Sequence, residues 1–526
     1  MPAQALAAVA TLLACVPHGN RIELQLDRGS AELLWVTPST FRFRRALEGP
    51  LPEIKAGDRE PVPVEIDDAP GAVRLRSKFL DIGIQKHGLL VRVRRVDGAP
   101  LMTDLTEPGP AGAPAAGGVT WERQALAGVE FYGLGPSTDP VLGLRGKAVR
   151  AEIPFLISTA EYGEYHAGAG SYRFDFTAAD RYRIQAPGID YFFYYGPTPK
   201  EIFEEHKAVR GAAEPLAGRQ GASGAAGPLA GRQGTSGAAD AHQRFTDGSW
   251  STLRDSLLRL VHGAMSAVLE PEFDLTPYAK AAPELVQRAR QLGSLVPKVT
   301  PGPVGLSDFR KQLESFFAVY ALEIRDHGHP TWHALPFQFP DDAECARHAD
   351  EFMLGDEMLV APIYEPGGKR GVYLPRGMWT NLETNEVSQG RRAITVETKS
   401  LPVFARNGSI VPLDSAAGIA LHYFPTLAAE FFLLESDIGD YTQVHAAPAG
   451  DIMRLEIEAK KDHDYQWVVH HVEKPAEVGF QNVKYRETAS PGAMVSGTWF
   501  YDAARKNFEV RVHVKAGEDC VINLGW

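Results

Sequence analysis

From Asn20 to Tyr195 apolar and polar residues alternate in short runs. Arg21–Leu26, residues 41–44 and residues 91–94 each put every second side chain on one face. Such alternation makes one dry and one wet face and predicts antiparallel strands. Gly, Pro and Asp clusters part the runs at short intervals, so the spacing predicts a β-sandwich. Residues 5–16 are apolar and read as its first strand, and 108–118 as a Pro/Gly/Ala loop inside it. Residues 191–195 are consecutive aromatics. In a strand about half of them face the core, so core packing is the first reading and a sugar-stacking platform the second.

After Tyr195 the texture changes. Residues 200–209 read as a short helix. Residues 211–242 are rich in Gly, Ala and Ser, and Pro-Leu-Ala-Gly-Arg-Gln-Gly at 215–221 recurs at 228–234. Two copies cannot stack into a solenoid, so this stretch reads as a flexible linker. Three helices follow. Leu253, Leu257, Leu258, Val261 and Met265 stripe the first, at 251–265. Pro283 opens the second at its first turn, and it ends near Gly293. The third runs from a Ser307 N-cap to His327, with Gly328 as its stop. Its stripe is Phe309, Leu313, Phe316, Phe317, Tyr320 and Ile324. From Phe352 onward short apolar runs closed by Pro predict strands again. They fit two small sandwiches with a border at 413–419.

Composition narrows the function classes. The chain has 526 residues, 44% hydrophobic and 23% charged, with a formal net charge of -12. No Lys/Arg stripe interleaves with aromatics, which argues against nucleic acid. Nothing is long and apolar enough to span a membrane. No Lys or Arg precedes the apolar start, so a strand is favoured there over a secretory signal. The compartment is left open, with the cytoplasm favoured over secretion. Cys15, Cys345 and Cys520 show no zinc or disulfide spacing. His327, His329 and His333 lie close together, but no acid or Cys partner completes a metal site. Glu435, Asp437 and Asp440 read as a solvated acidic loop rather than a calcium site. No metal or cofactor is expected. The oligomeric state is not legible.

Seven segments in order carry a resemblance. Residues 131–135 (Phe-Tyr-Gly-Leu-Gly) are similar to "YGLGE". Residues 154–158 (Pro-Phe-Leu-Ile-Ser), followed by Tyr162-Gly163, are similar to "PFLIS…GYG", and 190–201 to "DYYFIYGPDPKEV". Further on, 337–342 resemble "LEFPDD", 352–362 "FMLGDDLLVAP", 372–379 "VYLPEGTW" and 402–412 "PVFVRAGSIIP". These are the motifs of glycoside hydrolase family 31, the α-glucosidase and α-xylosidase family. The resemblance implies a mainly β chain with a partial α/β segment. Its parts would be a galactose-mutarotase-like N-terminal β-sandwich (1–198), a helix and repeat linker (199–242), a remnant of a (β/α)8 barrel (243–351), and proximal (352–415) and distal (416–526) C-terminal β-sandwiches.

The middle of the chain is short for such an enzyme. A (β/α)8 barrel needs at least about 200 residues, and fewer lie between Pro199 and Pro362. Retaining hydrolysis needs a nucleophilic carboxylate and a proton-donating one. The family's "DMNE" nucleophile segment has no counterpart, and the linker stands in its place. Trp250, Leu253 and Arg254 match the helix start that follows the family's acid/base aspartate. That aspartate falls on Phe245. Asp247 is the nearby acid and the catalytic candidate, against a capping role at the helix start. Asp274 stands where the family has "DIGGF", as the relic of a sugar-contacting residue, with the glycines replaced. The "RNH" segment aligns with residues 298–301 and keeps neither Arg nor His. His333 takes the place of the Arg of "MRPLF", which makes it the other substrate-binding candidate.

Three expectations follow. The chain is a family 31 glycosidase by descent that acts on α-glucosides or α-xylosides, with its own activity doubted. Alternatively it is a non-catalytic carbohydrate-binding or scaffolding protein, with a sugar as its partner. As a third reading, it is a shortened chain without an independent role.

Overall fold

A computed structural model describes residues 9–54, 59–111, 118–211, 247–436, 439–480 and 483–526. The predicted linker lies outside them except for Gly211. The fold is mainly β, and it divides into two compact units, residues 1–230 with 265–268 and residues 231–264 with 269–526. Among the described residues no helix is long and apolar enough to cross a membrane.

The first unit holds an eight-stranded and two five-stranded antiparallel sheets. Arg21–Leu26 is a strand with alternating burial, as its pattern predicts. Among the described residues the first strand is Leu12–His18, and residues 5–8 of the apolar run lie outside them. Thr40–Ala46 departs from the wet-face expectation. Arg42 forms a two-bond fork with Asp190, at 2.7 and 2.8 Å. Arg44 is buried and donates to Glu32 at 2.6 Å. This strand lies inside the eight-stranded sheet, between Ser30–Thr37 and Ile189–Tyr195. Carboxylates on both neighbours therefore take up the charges that an outer strand would show to water. Of the consecutive aromatics, Tyr191, Phe192, Phe193 and Tyr194 are buried. The helix Pro199–Gly211 covers their other face, with His206 Nδ1 3.0 Å from the Tyr194 hydroxyl. They form core and no open platform.

One buried polar network pins the three sheets of this unit together. Arg123 Nε donates to Asp104 Oδ1 at 2.9 Å, and Nη1 donates to Glu164. His166 Nε2 lies 3.2 Å from Glu164, and the Arg123 guanidinium sits 4.6 Å over the Tyr191 ring. Arg123, Glu164 and His166 are fully buried. Burial opposes ionisation of Glu164 most strongly, but the Arg123 charge and the bonds from His166 and Arg123 together outweigh it and hold the carboxyl below its usual range.

In the second unit the helix Trp250–Ala264 forms where its stripe predicts, and Pro283–Gly293 where Pro283 and Gly293 mark its ends. The third does not run unbroken from Ser307. It splits at Leu313 into Phe309–Gln312 and Glu314–Asp326. Asp414 causes the restart, accepting from Ser315 N at 2.7 Å and from Ser315 Oγ at 2.6 Å. An anion at the first turn is a cap supplied from a distant strand. Ser307 instead donates its hydroxyl to Ser294 at 2.7 Å. Gly328 ends the helix at φ +76, as a left-handed stop requires.

Glu272–Asp274 and Lys298–Thr300 pair in parallel across the helix Pro283–Gly293, which makes one βαβ unit. Among the described residues this is the only parallel pair between Pro199 and Glu351. The next strand, Trp332–Ala334, pairs antiparallel with Phe352–Leu354 and opens a six-stranded sheet of the C-terminal region. Two further six-stranded sheets follow. Ile410–Ser415 pairs with Gly418–Tyr423, a hairpin that straddles residues 415 and 416.

Replacing Arg123 with Leu would leave the buried carboxyls Glu164 and Asp104 without the cation between them. The first unit should lose about 3–5 kcal/mol, read as a shift of its urea transition. A shift under about 1 kcal/mol would show that the network carries no such weight.

Candidate functional site

Strands of an α/β segment offer ligands their carboxyl ends. Here that end carries Asp274, the last residue of Glu272–Asp274. Its side chain is exposed, and Oδ1 accepts from Thr276 N at 2.8 Å. This turn leads into Thr276–Lys280, which sinks Tyr278 into the interior.

Asp247 approaches the same place from the other side. Gly248, at φ +53, lies against Pro277, and a Cβ there would stand 2.1 Å from the Pro277 carbonyl oxygen. Only glycine lets these segments close. Ser249 then caps the helix Trp250–Ala264, its Oγ accepting from Thr252 N at 3.1 Å. Asp247 Oδ1 accepts from the Thr252 hydroxyl and, at 3.2 Å, from the Ser249 hydroxyl. These bonds, that of Thr252 foremost, hold the Asp247 carboxyl below its usual range. Burial pushes the Tyr278 phenol up, and the charges of Asp247 and Asp274 add to the shift. The two candidate aspartates therefore flank one buried phenol. The sequence reading passed over Tyr278; an aromatic directly after the turn proline was the available signal.

His333 joins a different structure. It lies within Trp332–Ala334, 1% exposed, with its ring 4.6 Å from that of Phe337 and Nδ1 3.6 Å from Asp356 Oδ1. It packs in a sheet interior.

A proton donor for glycoside cleavage needs a raised pKa. Asp247 is shifted the other way and stays ionised. It suits a cap or a fixed negative charge, and proton delivery near neutral pH does not follow from this geometry.

His348, Asp350 and Glu351 bring ligand atoms within 4.8 Å of one another. Their partners are already protein groups. Asp350 takes Arg370 at 3.0 Å and the Tyr364 hydroxyl at 2.6 Å. Glu351 accepts from Tyr373 N at 3.0 Å, and His348 stacks on the Tyr373 ring. Burial raises the Glu351 carboxyl well above its usual value. A protonated Glu351 would donate to His348 Nδ1, 3.2 Å away. His327 and His329 stack on each other at 5.5 Å. Glu435 accepts from Thr442 at 2.6 Å and faces His463 at 3.0 Å, while Asp437 lies outside the described residues.

Residues 328–411 match the glycosyl hydrolase family 31 C-terminal domain, a match that supports a relationship of this chain to that family. The chain is 37% identical over 123 residues to an alpha-glucosidase of Saccharolobus solfataricus, covering 21% of this chain and 18% of that enzyme. Over 161 residues it is 35% identical to alpha-glucosidase 2 of Bacillus thermoamyloliquefaciens, covering 28% and 20%. The matches thus span about a fifth of the length of these relatives. In fold it is similar to a dextranase of Flavobacterium johnsoniae, with a TM-score of 0.80 at 15% identity over 99% of this chain and 100% of that one. It is also similar to the cycloalternan-forming enzyme of Listeria monocytogenes, with a TM-score of 0.78 at 14% identity, covering 98% and 77%.

The raised pKa of Glu351 makes its ionised form costly, so its stabilising effect is full below the usual carboxyl range and is lost as pH rises. Gln at this position keeps an acceptor for Tyr373 N and a donor for His348. Glu351→Gln should raise stability at pH 7 by about 1 kcal/mol, or the melting temperature by about 2–4 °C. It should change little at pH 4. A lower melting temperature at pH 7 would contradict the protonated reading.

Proposed function

We propose that this chain is a family 31 protein of α-glycoside metabolism that binds carbohydrate without hydrolysing it. In this reading the first unit is a galactose-mutarotase-like sandwich. The βαβ unit is what remains of a (β/α)8 barrel, and two sandwiches follow. The observation that carries it is the single described parallel pair between Pro199 and Glu351. Retaining hydrolysis needs two carboxylates about 5–5.5 Å apart, one of them protonated. A closed parallel ring is what holds such a pair in this fold type. The lowered pKa of Asp247 supports the same reading, as do the altered positions at Asp274, 298–301 and His333.

The second reading keeps the activity that the names of the relatives suggest, cleavage of α-glucosides or α-xylosides with retention. The relationship to that family favours it, and one assay separates the two. The purified chain, incubated with nitrophenyl α-glucoside and α-xyloside, should release nitrophenol at the rate of buffer alone, and Asp247→Asn should change nothing. Turnover that is abolished in Asp247→Asn would establish the hydrolase. Insoluble or unfolded protein would instead indicate a shortened chain without a role of its own, because unpartnered helix faces expose apolar surface.

A further inference from the structure

The distal part of the second unit contains a cavity of about 560 Å³, within the usual range of small-molecule sites. Its floor is the outer face of the sheet that carries Gly418–Tyr423, His463–Val469 and Asn507–Val514. The inner face of those strands is core, with Leu421, Trp467 and Val510 fully buried. Alternation in a strand must then send His422, Gln466, Val468 and Glu509 to the other side, and all four line the cavity. Asn385 forms a wall. Its backbone is left-handed at φ +61, a conformation that asparagine tolerates.

The hydrogen bonds of this wall fix its tautomers. Asn385 Nδ2 donates to the Arg505 carbonyl at 2.8 Å, which sets Oδ1 as the acceptor for His470 Nδ1 at 2.8 Å. His470 Nε2 is then an acceptor and receives the proton of His422 Nδ1 at 3.0 Å. Burial keeps both rings neutral, with His422 lowered to about 4 and His470 well below its usual value. This relay leaves His422 Nε2 as a lone-pair acceptor. On the neighbouring strands Arg511 Nε donates to Gln466 Oε1 at 3.0 Å, and Gln466 Nε2 donates to Glu509 Oε2 at 2.9 Å. The second chain fixes the amide and leaves the Glu509 carboxylate as a further acceptor.

The lining balances Asp502 and Glu509 against Arg505 and Arg511, and Leu413, Ala420 and Val468 supply apolar patches. An anion would meet two carboxylates here, and a cation two guanidiniums. A neutral ligand with many hydroxyls and flat C–H faces satisfies both the acceptors and the apolar patches. We propose that this cavity is a binding site for a short neutral oligosaccharide, held by His422, Gln466 and Glu509. The choice of sugar rests on the carbohydrate reading above; the site itself rests on the cavity and its two fixed hydrogen-bond chains.

Titration calorimetry with maltotriose and isomaltotriose on the full chain tests it. The wild type should bind at least one of them. His422→Ala and the isosteric Glu509→Gln should each weaken binding about tenfold or more, with circular dichroism unchanged. Should either variant misfold, Ala420→Trp fills the cavity from the strand Gly418–Tyr423 and should abolish binding. Wild-type affinity in folded variants would overturn this site and leave the carbohydrate reading standing. No binding of either sugar by the wild type would overturn both.

Discussion

A strand leaves backbone donors and acceptors open along each edge until a neighbour takes them up. In the middle of this chain, Glu272–Asp274 and Lys298–Thr300 have each other and, among the described residues, no further parallel neighbour. Two such strands cannot close a ring, so they must be held from outside. The bonds that do this come from the C-terminal region. Arg288, on the connecting helix, donates to the carbonyls of Thr398, Lys399 and Ser400 at 2.8–2.9 Å. The Trp332 indole donates to the Leu295 carbonyl at 2.8 Å. The α/β segment is thus held against the C-terminal sheets, and its loops carry Asp247 and Asp274.

The same economy of burial runs through both units. Where charges go inside they go as closed sets, Arg123 with Asp104 and Glu164 in one unit, Arg370 with Asp350 in the other. Where a carboxyl cannot be paired, as at Glu351, burial favours its neutral form. Neither arrangement leaves a group poised for proton transfer at an accessible surface. The distal cavity differs, because its polar groups are fixed by neighbours yet open to a ligand.

Much of this was legible in the sequence. The strand Arg21–Leu26 and the helix Pro283–Gly293 follow from period and from Pro and Gly placement, because these signals act within a few residues. The break at Leu313 was not legible, since Asp414, which restarts the helix, lies 99 residues from Ser315. Arg42 and Arg44 looked solvent-facing because alternation reports polarity and cannot tell that a buried carboxylate waits on the next strand. At the candidate site, Asp247 and Asp274 were identified singly. Their common neighbour Tyr278 was missed, because contact through Gly248 and Pro277 is a property of the folded loops. The distal cavity is built from residues scattered between 382 and 511, with no local motif to announce it.

The account turns on whether any carboxylate of this chain can attack an anomeric carbon. A retaining glycosidase that is turning over an activated fluoroglycoside accumulates a covalent glycosyl ester, which intact-mass spectrometry detects directly. Incubation of the full chain with 5-fluoro-α-glucosyl fluoride should leave its mass unchanged. A stoichiometric gain of one fluoroglucosyl group, mapped to an aspartate or glutamate, would contradict the account at its root.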